Sequence, residues 1–104
     1  MEEERFFDLG TLLSITDGRL FTTMGNIHEI FSYLCQREVT TFELPELKDG
    51  VRSYILNTYP ELLGVGEGVD LKNREETLAY LEELKKVYGD SFPLKPMSHE
   101  RMIK

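Results

Sequence analysis

Tryptophan is missing from the 104-residue chain, cysteine occurs once and histidine twice. A lone thiol, Cys35, cannot close an internal disulfide, so nothing points to an oxidising compartment. The histidines, His28 and His99, have no Cys or carboxylate at ligand spacing, and a zinc site needs a set of three or four ligands. No apolar run approaches the ~20 residues that span a bilayer. The start, Met1-Glu2-Glu3-Glu4, is acidic where a secretory leader is basic. Basic residues are also short: 12 Lys and Arg against 19 Asp and Glu leave a net charge of -7. Arg5, Arg19, Arg37, Lys48 and Arg52 are scattered, and only Lys85 and Lys86 adjoin, so phosphate backbones are repelled and direct nucleic-acid binding is not expected. No membrane contact and no cofactor are expected either, and the cytoplasm is the default location.

Hydrophobic residues make up 40% of the chain and charged residues 30%, enough apolar surface for one core. One globular domain over 1–97 is expected, followed by a polar, mobile tail over 98–104. Between Phe6 and Thr23 two structures compete. Asp17-Gly18 between apolar runs signals a hairpin, yet Leu9, Leu12 and Leu13 fall at i, i+3, i+4 behind a capping Asp8. The balance favours a short helix ending near Ile15, with the turn leading into an extended Arg19–Thr22. Asn26 ahead of Ile27, Ile30, Phe31 and Leu34, with Glu29 three residues on, predicts a capped helix over 26–36. Val39-Thr40-Thr41-Phe42 suits a short strand or extended link. Pro45 opens a helix carrying Leu47, Val51, Tyr54 and Ile55, which Pro60 stops near Thr58. Gly64-Val65-Gly66-Glu67-Gly68 reads as a link. Asn73 and Glu76 start a last helix with a stripe of Leu78, Leu81, Leu84 and Tyr88, an outer Glu82–Lys86 pair and a Gly89 cap. Pro93 and Pro96 restrict any strand over 91–97 to a short edge.

Chemistry-bearing patterns are few. The 64–68 glycine run has no preceding strand and no following Lys-Ser/Thr, so it is no phosphate loop. Cys35 sits beside Leu34 on an apolar flank, as a small hydrophobe would, with only His28 as a distant base. Glu75-Glu76 and Glu82-Glu83 are sequence neighbours on a helix, which diverge by about 100° and do not face one site. The richest stretch is Thr16-Asp17-Gly18-Arg19, a hydroxyl, an acid, a glycine and an arginine held between apolar anchors. Its structural explanation is a turn satisfied by its own side chains; its functional one is a recognition loop in which Arg19 meets an anion. Thr41 and Glu43, ahead of Leu44-Pro45, complete the candidate binding residues.

The run Phe7-Asp8-Leu9-Gly10-Thr11-Leu12-Leu13-Ser14-Ile15-Thr16-Asp17-Gly18-Arg19-Leu20 resembles the opening of an uncharacterised family of small proteins encoded by bacteriophages, prophages and actinobacteria. That family opens with an apolar-Leu-Gly element, then Leu-Ser/Thr and Thr-Gly-Arg-Leu. Thr41-Phe42-Glu43-Leu44-Pro45 is similar to its Thr-His-x-Leu-Pro element, Ile55–Leu62 to its Leu-Leu-x-x-His-Pro-x-Leu, and Tyr88–Met97 to its closing Gly-x-x-Leu-Pro-Val-x-Pro-Leu. Here Asp17 replaces a Thr, and Phe42 and Tyr59 replace histidines. The resemblance implies a mobile-element origin and the cytoplasm of a bacterial host, and it supplies no mechanism.

These readings predict an α+β fold, mainly helical, with three main helices and one or two short strands or a hairpin. The expected function is non-enzymatic: occlusion of a host protein, one with a basic groove, through an acidic surface. The alternative is a small-ligand protein that holds an anionic metabolite or nucleotide at the Thr16–Arg19 turn. An apolar stripe left uncovered would favour a homodimer.

Overall fold

Asp8 marks the point where the chain changes from strand to helix. The computed structural model describes residues 4–97. Strand β1 (Arg5–Asp8) pairs antiparallel with β2 (Ser91–Leu94), Arg5 opposite Leu94 and Asp8 opposite Ser91, so the two ends of the described chain are tied together. Helix α1 (Leu9–Thr16) follows without a break, and every one of its residues is buried. Two of its three hydroxyls are accommodated locally: the Thr11 hydroxyl donates to Asp8 Oδ1 at 2.6 Å and Ser14 Oγ to the Gly10 carbonyl at 2.8 Å. The helical alternative for this stretch is the one adopted. Asp17-Gly18 turns the chain at the helix end, Gly18 taking φ 97°, and does not join two strands. Burial of Leu9, Leu12 and Leu13 on all sides decides this, because a two-stranded ribbon would leave one face of each wet.

Helix α2 (Met24–Cys35) buries Ile27, Ile30, Phe31 and Leu34, the predicted stripe. It starts earlier than the predicted 26. Thr23 is its N-cap, accepting from the Asn26 N–H at 3.2 Å, while the Asn26 side chain donates to Thr22 Oγ1 at 2.7 Å. Glu29 is not part of a capping box; it forms an ion pair with Arg5 of β1. Residues 39–42 are not a strand. Thr41–Glu43 make a single 3₁₀ turn, because the Glu43 carboxylate reaches back to accept from the Thr40 N–H at 2.9 Å.

Helix α3 (Leu44–Thr58) has Pro45 in its first turn, buries Val51 and Ile55, and stops at Thr58 ahead of Pro60, all as expected from sequence. Tyrosines then fasten β2 and the residue after it: the hydroxyls of Tyr59, Tyr33 and Tyr54 donate to the carbonyls of Pro93, Leu94 and Lys95 at 2.6, 2.9 and 2.6 Å. Helix α4 (Arg74–Tyr88) is capped by Asn73, whose side chain accepts from the Glu76 N–H at 2.8 Å, and ends at Gly89 with φ 94°. Its predicted stripe is only partly used. Leu81 is buried, Leu84 and Tyr88 are half-buried, and Leu78 is exposed. The predicted Glu82–Lys86 pair is replaced by Lys85–Glu82 at 3.2 Å and Lys86–Glu83 at 3.4 Å, one residue closer in each case.

Among the described residues the result is a small α+β fold, four α-helices and a two-stranded antiparallel sheet, around one cluster of buried side chains that includes Phe7, Leu12, Ile30, Ile55, Leu62 and Phe92. The predicted tail over 98–104 lies outside the described residues.

Candidate functional site

The turn after α1 is held from across the chain. Arg19 Nε donates to Asp17 Oδ2 at 2.6 Å, Nη1 to the Val69 carbonyl at 2.5 Å and Nη2 to the Gly66 carbonyl at 2.6 Å. The Asp17 hydrogen bond holds the Arg19 pKa above its ordinary value. Gly66, at φ 90°, sits so close that a Cβ there would lie 2.8 Å from Asp17 Oδ1. Arg19 therefore clasps the 64–70 loop onto the turn. Just before it, Thr16 is buried and its hydroxyl has no partner among the described residues.

Past the turn, the chain runs through Leu20 to the start of α2 and leaves an open groove of about 410 Å³ between that connection, α2 and the start of α3. Leu20, Met24, Ile27, Phe31, Leu44 and Pro45 form its apolar lining, with Arg19 and Lys48 as its charged members. Leu20 and Met24 are 55% and 46% exposed and Pro45 is exposed, so this side of the groove is wet, while Ile27 and Phe31 are buried. A shallower depression of about 290 Å³ adjoins it, sharing Ile15, Gly18 and Lys48 and adding Thr16, Asp17, Asp49 and Arg52. Arg52 Nε donates to the Thr16 carbonyl at 3.0 Å, which places a cation at the carbonyl end of α1.

The candidate residues thus divide. Thr16, Asp17, Gly18 and Arg19 come together at the groove and its neighbouring depression. Thr41 and Glu43 lie on the 3₁₀ turn ahead of α3 and do not line the groove. Thr41 Oγ1 is 3.2 Å from His28 Nε2, and Glu43 pairs with Arg37 at 2.8 Å. That bond, seconded by the Thr40 N–H, lowers the Glu43 pKa from the ordinary 4.5 to about 2. A folded-state pKa below the unfolded one means that the pair's stabilisation is present above pH 4.5 and is lost as the pH falls through about 2. A ¹³C titration of the Glu43 carboxyl should show a midpoint near 2 that moves back toward 4.5 in Arg37→Gln. A wild-type midpoint near 4.5 would show that the pair does not form in solution.

Cys35 is the last residue of α2. It is buried, and burial pushes its thiol pKa up, away from the thiolate form a nucleophile needs. Among the described residues no three His, Cys, Asp or Glu side chains converge to hold a metal ion. No described helix is long and apolar enough to cross a membrane.

A family model matches residues 7–65. The chain belongs to the family described as Domain of unknown function (DUF7736). The DUF7736 match takes in α1, α2, α3 and every residue that lines the groove, whereas α4 and β2 follow it. No curated protein and no solved structure matches the chain.

Lys48, Arg52 and the apolar lining were not among the residues singled out from sequence. Ile27 and Phe31 read as ordinary core positions of an amphipathic helix, Leu20 as part of the extended run after the turn, and Met24 was not singled out. The available signal was Lys48 and Arg52 at i, i+4, one face of α3 carrying two cations in an acidic chain.

Proposed function

We propose that this DUF7736 protein is a non-enzymatic binding protein of the type that phages and prophages encode, and that it occludes a host protein in the bacterial cytoplasm. The wet apolar groove carries the reading. Covering apolar surface gains roughly 25 cal/mol per Å², and Leu20, Met24 and Pro45, which the fold itself leaves exposed, are where a partner collects that gain. The acidic surface acts at longer range: a net charge of -7 raises the encounter rate with a partner whose surface is basic and turns nucleic acid away.

Beads carrying the wild type and the Leu20→Asp variant test it against one bacterial lysate. The wild type should retain at least one protein that salt weakens and that Leu20→Asp depletes about tenfold, the effect of losing roughly 1.4 kcal/mol of binding. Identical retained sets for the two baits would contradict the reading.

A second reading, small-ligand binding, has one observation in its favour. The groove falls within the roughly 300–1,000 Å³ of ligand pockets, and Arg19 and Gly18 stand on its wall. An anionic metabolite or nucleotide there would have to recruit donors that Arg19 has not already committed to Asp17, Gly66 and Val69.

A further inference from the structure

The groove and the depression beside it differ in chemistry but share a wall. The groove is apolar along Leu20, Met24, Ile27, Phe31, Leu44 and Pro45. The depression is polar, and Lys48 belongs to both, so an occupant leaving the groove at Lys48 meets Arg52 next. Lys48 and Arg52 stand one helical turn apart on α3.

Arg5, Arg19, Arg37, Lys85 and Lys86 are each paired with a carboxylate of this chain. Lys48 and Arg52, like Lys72, Arg74 and Lys95, form no ion pair among the described residues, but only Lys48 and Arg52 stand together at the depression. Arg52 spends its Nε on the Thr16 carbonyl, which orients the guanidinium and leaves its terminal nitrogens for another acceptor. Two acids border the depression, and Arg19 already neutralises Asp17, so Lys48 and Arg52 outweigh the remaining Asp49. The depression is locally cationic in a chain whose net charge is -7. Thr16 lines it too, with a buried hydroxyl that no group of the described chain satisfies.

We propose that the groove receives a polypeptide segment of the partner in which apolar side chains are followed by a carboxylate, the carboxylate docking on Lys48 and Arg52. This rests on the docking role proposed above and adds the chemistry of the docked segment. Apolar anchors fill the Leu20–Met24 side, and the carboxylate supplies the charge that Lys48 and Arg52 lack. An open groove suits a peptide, whose backbone stays hydrated along the open side, better than a lipid chain, which gains most from enclosure.

A library of random 12-residue peptides displayed on yeast, sorted on the fluorescently labelled full chain, tests the proposal. Peptides that bind are then synthesised and titrated by fluorescence polarisation against wild type, Leu20→Asp, Lys48→Glu and Arg52→Gln, each checked for a native circular dichroism spectrum. Decanoate is included as a competitor that carries the same chemistry without a backbone. The expected binders combine two or more apolar residues with a nearby Asp or Glu, and lose affinity about tenfold on Leu20→Asp and about fivefold on Lys48→Glu, the upper end of what an exposed ion pair supplies. Lys48 is exposed and unpaired, so its variant folds even if Arg52→Gln does not. Binders that respond to Leu20→Asp but not to Lys48→Glu, with no enrichment in acids, overturn this inference and leave the docking role standing. An absence of binders, or binders indifferent to Leu20→Asp, overturns both. Displacement of every binder by decanoate at lower concentration than by its own unlabelled peptide assigns the groove to small amphiphiles and overturns the inference.

Discussion

Gly10→Val is expected to cost about 3 kcal/mol of folding stability, as overpacking a tight core contact does. Gly10 lies in α1 where two other segments come closest. A Cβ on it would stand 2.8 Å from the Phe21 carbonyl oxygen, 3.0 Å from Asp8 Oδ2 and 3.2 Å from Leu81 Cδ2. The Phe21 oxygen belongs to backbone, and the Phe21 N–H is fastened to Ser14 Oγ at 2.7 Å, so that strand of chain cannot withdraw freely. Leu81 is the buried anchor of α4, and pushing it outward loosens the helix. Gly10→Ala should also destabilise, by about 1–2 kcal/mol, against the gain of roughly 1 kcal/mol that alanine brings to an unobstructed helix. Gly50 provides the contrast. It is in α3, exposed, with nothing within 4 Å of where a Cβ would go, so Gly50→Ala should stabilise. Urea unfolding of the three variants reads the result. If Gly10→Ala and Gly50→Ala shift the midpoint in the same direction, the close approach of α1 to Phe21 and Leu81 is wrong.

Arg19→Ala should lose about 2 kcal/mol. Three partners depend on this guanidinium, and a hydrogen bond to a charged group contributes roughly 1.5–3 kcal/mol when buried. The side chain is 36% exposed, so solvent screening reduces the sum to about the value of one such bond. Lysine should not restore it, because one ammonium cannot span Asp17, Gly66 and Val69 as a planar fork does. The loss should be local as well as global: limited proteolysis should cut the 64–70 segment faster in Arg19→Ala than in wild type. Unchanged stability and cleavage would show that the clasp does not hold this loop. The variant also bears on small-ligand binding at the Thr16–Arg19 turn. An anionic compound that raises the melting temperature of wild type and Arg19→Ala equally does not use Arg19.

What could be read from sequence was local. The α2 stripe, the Asn73 cap, the stop ahead of Pro60 and the Gly89 end each depend on residues within a few positions, and each is present. What could not be read was decided at a distance. Thr23 and Asn26 are both able N-caps; Glu29, which would have completed a box with Asn26, is drawn off by Arg5. The strands are four residues each, at opposite ends of the described chain, and carry no hairpin turn to announce their pairing. At the candidate site the Thr16–Arg19 turn was legible as a polar cluster, but its partners were not. Arg19 reaches carbonyls 47 and 50 residues further on. Beyond the Lys48–Arg52 spacing the groove had no sequence signature, because it exists only where the connection through Leu20, the α2 face and the start of α3 meet.

The central claim is that a partner protein occupies that groove. A photo-crosslinking amino acid placed at Met24, inside the groove, and separately at Lys72, which does not line it, tests this in living bacteria that make the protein. Irradiation should yield a discrete adduct with one host protein from position 24 and none from position 72. Equal adducts from both positions, or none from position 24, would contradict it.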